Sequence, residues 1–310
     1  MTTRLDIERA ASTIAPYVRE TPVLLLDELT LNVSAKIYLK LESLQVTGSF
    51  KPRGVFNNLL GQKLTDAGVV AASGGNHGLA VAYAAWQTGV KAEIFLPTLA
   101  PQIKRQALMS LGAKVIIEGD VYVDALAASV RRSEETGAFN IHAFNHAETV
   151  AGQGTIAREF ENQASGLDTV LVAVGGGGLI AGVAAWFDGK ANVVAVEPEG
   201  CPTLNSALSA GSPVDVSTSG IAADSLGCRR VGDVPFAILN RLIHNSLLVS
   251  EDNILQAQRF LWDHFRIVAE PGGAVAFAAL LCGAYVPAKG ERVGIIICGG
   301  NVDPRSFTET

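Results

Sequence analysis

The sequence lacks the features that mark membrane, secreted and nucleic-acid-binding proteins. No apolar run approaches the roughly 20 residues that a membrane-spanning helix needs, and residues 1–20 contain no signal-peptide core. The net charge is −6, and lysine and arginine form no cluster, which argues against nucleic acid or an anionic membrane as a partner. We therefore expect a cytoplasmic protein whose partner is a small molecule.

Cysteine is also scarce. The chain has four cysteines and no CxxC pair, so the sequence predicts neither a zinc site nor a disulfide framework. By contrast, 48% of the residues are apolar and glycine occurs 32 times. This is the composition of a folded enzyme. The length of 310 residues suggests two α/β lobes.

Short apolar runs alternate with helical patterns through most of the chain. The predicted strands lie at 36–42, 69–73, 92–96, 114–117, 169–174, 192–196 and 294–298, and the predicted helices at 79–87, 102–111, 123–135 and 179–187. Continuous apolar strands separated by helices indicate parallel sheets covered by helices on both faces. The predicted fold class is therefore α/β, with a ligand beyond the carboxyl ends of the strands. We interpret residues 200–233 as a loop system around the cleft.

The segment SFKPRG, residues 49–54, places Lys51 at a strand-to-helix turn. Pro52 suits the first turn of a helix, where its missing N–H costs nothing. A lysine at such a junction can project into a cleft, and its amine is the group that forms Schiff bases with carbonyl cofactors. Lys51 is therefore the candidate catalytic residue.

Four consecutive glycines, 175–178, separate a predicted strand from a predicted helix. Their backbone N–H groups, beside a helix N-terminus, suit a phosphate. The same segment also fits the GxGxxA form of the dinucleotide fingerprint through Gly176, Gly178 and Ala181, with the acidic Glu197 about 20 residues further on. This segment alone is consistent with two interpretations, a nicotinamide site and the phosphate site of another cofactor.

Two more polar segments follow predicted strands. The segment SGGNHG, residues 73–78, offers groups for a carboxylate or a phenolic oxygen, and Cys298 could donate a weak hydrogen bond to a ring nitrogen. Together with Lys51 and the glycine run, these segments define a cofactor with an aldehyde, a phosphate, a hydroxyl and a ring nitrogen. That cofactor is pyridoxal 5'-phosphate.

These segments, with GQGT at 152–155 and CGGN at 298–301, resemble the serine/threonine dehydratase and serine racemase family of fold-type II pyridoxal phosphate enzymes. The resemblance covers nearly the whole chain and leaves a nicotinamide oxidoreductase as a distant alternative, because a dinucleotide site gives no reason for Lys51. It implies a two-lobed, tryptophan synthase β-like fold that forms a homodimer. The large cofactor-binding domain would comprise residues 1–67 and 146–310, and a small α/β domain of residues 68–145 would be inserted into it.

The resemblance also implies a role for each motif residue. Lys51 would hold the cofactor and move the α-proton, and Phe50 would pack under the cofactor ring. Asn76 would bind the ring hydroxyl, Asn145 would assist from the cleft floor, and Cys298 would lie at the ring nitrogen. The phosphate would be bound by Gly175, Gly176, Gly177, Gly178 and Leu179, and the substrate by Ser73, Gly74, Asn76 and His77.

The reaction implied by the resemblance is elimination of water from a β-hydroxy amino acid, foremost L-threonine or L-serine, with release of a 2-oxo acid and ammonia. Racemases of the family carry a serine where this chain has Gly74. We therefore predict a dehydratase, with a serine or aspartate-type racemase as the alternative. Glu197 matches one ligand of the divalent-cation site of some family members, but Thr203 stands at the second acidic position, so no metal is predicted.

Overall fold

The computed structural model of the chain describes residues 1–26, 28–243 and 245–308. The strands are β1 (Val23–Leu25), β2 (Lys36–Leu41), β3 (Val69–Ala72), β4 (Ala92–Leu96), β5 (Lys114–Ile117), β6 (Phe139–Asn140), β7 (Thr169–Ala173), β8 (Asn192–Pro198), β9 (Ser246–Val249) and β10 (Arg292–Ile297). The helices are α1 (Arg4–Ile14), α2 (Glu28–Leu31), α3 (Lys51–Gly61), α4 (Asn76–Thr88), α5 (Gln102–Ser110), α6 (Tyr122–Thr136), α7 (Ala147–Gln163), α8 (Gly178–Phe187), α9 (Thr203–Ala210), α10 (Ala223–Leu226), α11 (Asp233–Leu242), α12 (Glu251–Phe265), α13 (Pro271–Leu281) and α14 (Arg305–Thr308). Among these helices, none combines the length and the apolar character needed to cross a membrane.

The larger sheet has six strands in the order β1-β2-β10-β7-β8-β9. All neighbours pair in parallel except β1, which runs antiparallel to β2. Helices α8 and α13 are buried almost throughout and pack with this sheet in one large apolar core. A helix that is apolar on every side is stable only when it is enclosed in this way. Strand β10 therefore lies at the centre of this sheet, although it comes from near the end of the sequence.

The smaller sheet has four parallel strands in the order β5-β4-β3-β6. Side chains of β3 alternate between its two faces, with Val69 and Ala71 in one apolar cluster and Val70 and Ala72 in another. Burial on both faces explains why this strand is continuously apolar. All four strands lie between residues 69 and 140. The domain boundaries at 67/68 and 145/146 stay our proposal.

The predicted fold class, a mostly parallel α/β fold, is confirmed, and each predicted strand and helix has a counterpart within a few residues. The interpretation of residues 200–233 as a loop system is wrong in part, because this region contains α9 and α10. Glycine and serine obscured the helical pattern there. Leu204 and Ala207 of α9 are nevertheless buried against the large core.

The carboxyl ends of β3, β7 and β10 each lead into one of the predicted glycine-rich segments. These ends meet between the two sheets. Ser49 forms an isolated bridge with Gly299 beyond β10, and the Asn76 side chain at the start of α4 bonds to Asn301. The fold therefore gathers segments that are far apart in sequence around one cleft.

Candidate active site

Lys51 is the first residue of α3, directly after a tight turn. Thr47 and Gly48 both have positive φ angles in this turn, and a Cβ atom on Gly48 would collide with the side chain of Asn301. The backbone N–H of Phe50 donates a 3.1 Å hydrogen bond to the carbonyl oxygen of Cys298. The lysine is thereby held against the end of β10.

The surroundings of the Lys51 amine favour its action as a nucleophile and base. Its Nζ lies 4.9 Å from the centre of the Phe50 ring, and no group in the described part of the chain accepts a hydrogen bond from it. Burial lowers the pKa of Lys51, while the nearby Cys228, Cys298 and Glu270 act in the opposite direction. Because desolvation prevails, the neutral amine is favoured relative to a lysine in water.

Arg53, two residues further along α3, anchors this helix from its buried side. Its guanidinium bonds to Glu42 at 2.8 Å and to Glu159 at 2.6 Å, and Lys40 Nζ reaches Glu159 at 2.7 Å. Burial alone would lower the pKa of Arg53, but the charges and hydrogen bonds of Glu42 and Glu159 together outweigh it and raise that pKa. Two cations thus neutralise two anions, as buried charges require. The network ties the helix that carries Lys51 to β2 and α7.

The glycine run forms the turn from β7 into α8. Gly177 has a φ of +90°, and a Cβ atom on Gly176 or Gly178 would collide with Phe144. The predicted phosphate residue Leu179 is buried in the first turn of α8. Among the described residues, no side chain caps this helix N-terminus. Its free N–H groups and positive helix end therefore suit an anion such as phosphate.

Asn145 lies behind this turn. Its Oδ1 accepts a 2.9 Å hydrogen bond from the Val234 N–H, and the neighbouring Gly232 N–H donates to the carbonyl oxygen of Gly176 at 3.1 Å. Phe144, one residue earlier, is the side chain that packs directly on the glycines. Asn145 is therefore placed to support the glycine turn through the chain at 232–234. The predicted direct contact between Asn145 and the cofactor stays a prediction.

The predicted substrate loop joins β3 to α4. Ser73 Oγ accepts a 3.2 Å hydrogen bond from the Gly75 N–H, which shapes the turn. His77 is buried and its Nε2 lies 2.8 Å from the carbonyl oxygen of Ile141. A carbonyl only accepts, so Nε2 carries the proton, and the buried Nδ1 has no partner among the described residues. Burial lowers the pKa of His77 to about 3, which keeps the ring neutral.

Sequence reasoning missed Glu270, which lies at the centre of this cleft. Its Oε1 accepts a 2.7 Å hydrogen bond from Asn76 Nδ2, and its N–H donates to the carbonyl oxygen of Gly299 at 3.1 Å. Burial raises the pKa of Glu270 to about 7, and the Asn76 hydrogen bond acts in the opposite direction. An acid followed by Pro271 at the start of a helix was the available sequence signal.

His142 and Cys228 were also missed, because neither belongs to a recognisable local motif. His142 Nδ1 accepts hydrogen bonds from the N–H groups of Asn145, at 3.0 Å, and Phe144, at 3.3 Å, so its proton is on Nε2. Burial lowers the pKa of His142 to about 4. Burial raises the pKa of Cys228, and the charge of Lys51 acts in the opposite direction.

Cys298 is buried at the end of β10. Its Sγ donates a 3.5 Å hydrogen bond to the carbonyl oxygen of Gly272, and burial raises its pKa to about 12. The side chain therefore stays a neutral thiol at physiological pH. This is the form that can donate the weak hydrogen bond predicted from the sequence. Its predicted position at a ring nitrogen remains a prediction.

Glu197 takes no part in the cleft. Its carboxylate accepts hydrogen bonds from the N–H groups of Leu204, at 2.6 Å, and Asn205, at 2.8 Å, and from Ser246 Oγ at 2.7 Å. This side chain is fully buried and joins β8 to α9 and β9. Within the described ranges, no group of three or more histidine, cysteine, aspartate or glutamate side chains could hold a metal. Glu197 is therefore occupied and cannot also bind a ribose.

The site fits pyridoxal phosphate on its own geometry. An unpartnered, desolvated lysine faces the cleft, and an uncapped helix N-terminus with a glycine turn provides a place for the phosphate. The buried Oγ of Ser49, beside Lys51, also has no partner among the described residues. These groups match the aldehyde and phosphate of the cofactor.

Comparison with known proteins agrees with this assignment. Residues 14–299 match the family described as pyridoxal-phosphate dependent enzyme. An L-threonine ammonia-lyase from Thermotoga maritima is 38% identical over 308 residues, which cover 98% of this chain and 76% of that protein. A phenylserine dehydratase from Ralstonia pickettii is 36% identical, with 94% and 90% covered. The structure of maize serine racemase superposes with a TM-score of 0.92 at 32% identity, covering 97% of this chain and 94% of that one. The chain therefore belongs to the family of pyridoxal-phosphate dependent enzymes.

Proposed function

We propose that this enzyme is an ammonia-lyase that removes the β-hydroxyl group of a β-hydroxy amino acid, foremost L-threonine or L-serine. The products are a 2-oxo acid and ammonia. The observation that carries the proposal is the half-buried, unpartnered amine of Lys51, opposite a loop in which Gly74 offers no side chain. The similarity to an L-threonine ammonia-lyase and a phenylserine dehydratase supports the same reaction class.

Removal of the α-proton and binding of the substrate carboxylate each have residues in this chain to carry them. Pyridoxal phosphate, when bound, supplies the electron sink for the pair released at the α-carbon. Lys51 takes the α-proton at Nζ, because desolvation lowers the pKa of the amine and favours its neutral form. The loop at 73–77, at the N-terminus of α4, orients the substrate carboxylate through its backbone N–H groups.

Two further residues hold protons in the cleft. Glu270, with a pKa raised to about 7 by burial, can accept or release a proton near neutral pH beside Asn76. The Cys298 thiol is too weak an acid to protonate a ring nitrogen, since its pKa is about 12. Cys298 would therefore leave the ring nitrogen of a bound cofactor unprotonated, which would favour departure of the β-hydroxyl group together with the α-proton.

A serine racemase is the second candidate, because the maize enzyme shares the fold and is 32% identical in sequence. Racemisation needs a group that returns a proton to the face of the α-carbon opposite Lys51. Gly74 has no side chain to do so. We therefore place elimination first.

A panel of β-hydroxy amino acids tests the proposal, with 2-oxo acid, ammonia and D-amino acid measured for each. Lys51→Ala should abolish both turnover and the visible absorbance of the bound cofactor. Lys36→Ala, at an exposed lysine at the start of β2, is the matched control and should preserve both. Conversion of L-serine to D-serine faster than to pyruvate would contradict the assignment.

The chain is further proposed to act as a homodimer in the cytoplasm. The family resemblance supports the dimer, and the four free cysteines agree with a reducing compartment. Light scattering of the purified holoenzyme tests the first point. A monomer at micromolar concentration would refute the dimer.

A further inference from the structure

An ion pair crosses the mouth of the cleft directly above the substrate loop. Lys104 Nζ on α5 lies 2.6 Å from Asp224 Oδ1 on α10. Within the described part of the chain, this is the only ion pair that joins residues 68–145 to the remainder. The two charged residues therefore bridge the two parts of the chain beside the predicted substrate loop.

The lysine stem lies at the glycine that replaces the racemase serine. A Cβ atom on Gly74 would stand 3.7 Å from Lys104 Cδ and 3.2 Å from Leu96 Cδ2. A Cβ atom on Gly75 would stand 4.0 Å from the carbonyl oxygen of Asp224. The charges of Asp224 and Lys104 both act on Glu270 inside the cleft. The ammonium is thus close to the loop at 73–77 and within electrostatic reach of the reacting region.

The two partners differ in exposure. The side chain of Lys104 is 30% exposed, whereas that of Asp224 is 74% exposed. A pair of this kind contributes little to stability, because water solvates the exposed partner well. Another carboxylate can therefore replace Asp224 at little cost. The ammonium stays in the cleft mouth and prefers an anionic partner.

We propose that Lys104 determines the substrate class by binding the second carboxylate of a dicarboxylic β-hydroxy amino acid, of the 3-hydroxyaspartate type, in the place that Asp224 takes in the structure. The inference rests on the proposed elimination and specifies its substrate. For such a substrate, the water lost on elimination is regained on hydrolysis. The net products are oxaloacetate and ammonia.

The test compares kcat/KM of the holoenzyme for 3-hydroxyaspartate and for L-threonine. Lys104→Met keeps the apolar stem and removes the charge, so the ratio of the two values should fall roughly ten- to hundredfold, as expected for a hydrogen bond to a charged group. Asp224→Asn removes the competing carboxylate and should raise that ratio. Lys114→Met, which removes another ion-paired lysine from the same sheet region, is the matched control and should leave the ratio unchanged.

A binding measurement separates this inference from the proposed reaction. Titrations of the cofactor spectrum with L-aspartate and with L-2-aminobutyrate compare side chains that end in a carboxylate and in a methyl group. We expect the wild-type holoenzyme to bind aspartate more tightly, and Lys104→Met to lose that preference. The inference would be overturned if Lys104→Met lowered kcat/KM equally for 3-hydroxyaspartate and L-threonine, or if the wild-type holoenzyme did not bind aspartate more tightly than L-2-aminobutyrate. Absence of 2-oxo acid from every β-hydroxy amino acid would instead refute the proposed function, while the titration still decides the role of Lys104.

Discussion

Glu270 Oε1 accepts a 2.7 Å hydrogen bond from Asn76 Nδ2, although 194 residues separate the two in sequence. The other end of the same amide, Asn76 Oδ1, accepts a 2.7 Å hydrogen bond from Asn301 Nδ2. Asn76 follows β3 of the small sheet, whereas Glu270 and Asn301 come from the C-terminal part of the chain. This chain of contacts couples the two sheets at the floor of the cleft.

We expect Glu270→Gln to remove a pH dependence of stability. The native pKa of Glu270 is about 7, against 4.5 for a free glutamate, so the folded enzyme keeps a proton that the unfolded chain has lost. The wild-type free energy of unfolding should therefore fall as pH rises from 4.5 to 7, by on the order of 3 kcal/mol from this group. Glutamine does not titrate, so the variant should gain stability over the wild type across this interval.

Urea unfolding of the cofactor-free enzyme between pH 4.5 and 8 measures this difference. Glu199→Gln, at an exposed glutamate, is the control and should run parallel to the wild type. If the free energy of unfolding of Glu270→Gln changed with pH in parallel with that of the wild type, Glu270 would be ionised throughout this range in the folded enzyme.

Gly176→Ala should weaken cofactor binding. The added methyl group would meet the Phe144 ring, so either the glycine turn or the ring must move. Overpacking of this kind typically costs about 1–3 kcal/mol, equivalent to roughly a ten- to hundredfold loss of affinity. Titration of the apoenzyme with pyridoxal phosphate measures the loss, and Phe144→Ala in the same chain should restore part of it. Gly61→Ala adds a methyl group with no atom within 4 Å and should leave affinity unchanged.

Arg53→Met should destabilise the enzyme strongly. The change leaves the carboxylates of Glu42, which is buried, and Glu159, which is half-buried, without the Arg53 guanidinium. Breaking one side of a buried ion pair costs about 3–5 kcal/mol, which a shift in the urea midpoint would report. Arg131→Met removes the exposed pair with Glu118 and should cost at most about 1 kcal/mol. Similar losses in the two variants would argue against the buried network.

Gly74→Ser should raise racemisation of L-serine relative to its elimination. The serine Cβ would lie 3.2 Å from Leu96 Cδ2 and 3.7 Å from Lys104 Cδ, so a small movement of Leu96 admits it. The new hydroxyl would offer a proton at the face opposite Lys51. Chiral separation of the amino acid after partial turnover measures the D-serine formed. An unchanged ratio of D-serine to pyruvate would show that Gly74 does not set the reaction outcome.

Local sequence patterns were enough to predict the parallel α/β architecture and the glycine-rich ends of three strands. Lys51 could be singled out because a lysine between a strand and Pro52 is a local signal. The same is true of the glycine turn at 175–178, since consecutive glycines are costly unless a close backbone approach requires them. Burial on both faces produced the continuous apolar strands from which the parallel pairing was inferred.

Contacts between distant segments decided the remaining features. The raised pKa of Glu270 arises from burial in the cleft, which outweighs the hydrogen bond from Asn76, and its own neighbours along the chain carry no hint of it. Likewise, the carboxylate of Glu197 accepts hydrogen bonds from backbone N–H groups of α9. The ion pair between Lys104 and Asp224 joins a helix of the small-sheet region to a helix of the remainder. Sequence patterns predict which face of a segment is exposed to water and which is buried in a core, because that depends on the segment's own side chains. Desolvation and charge pairing depend on which other segments pack beside it, and only the tertiary structure determines those neighbours.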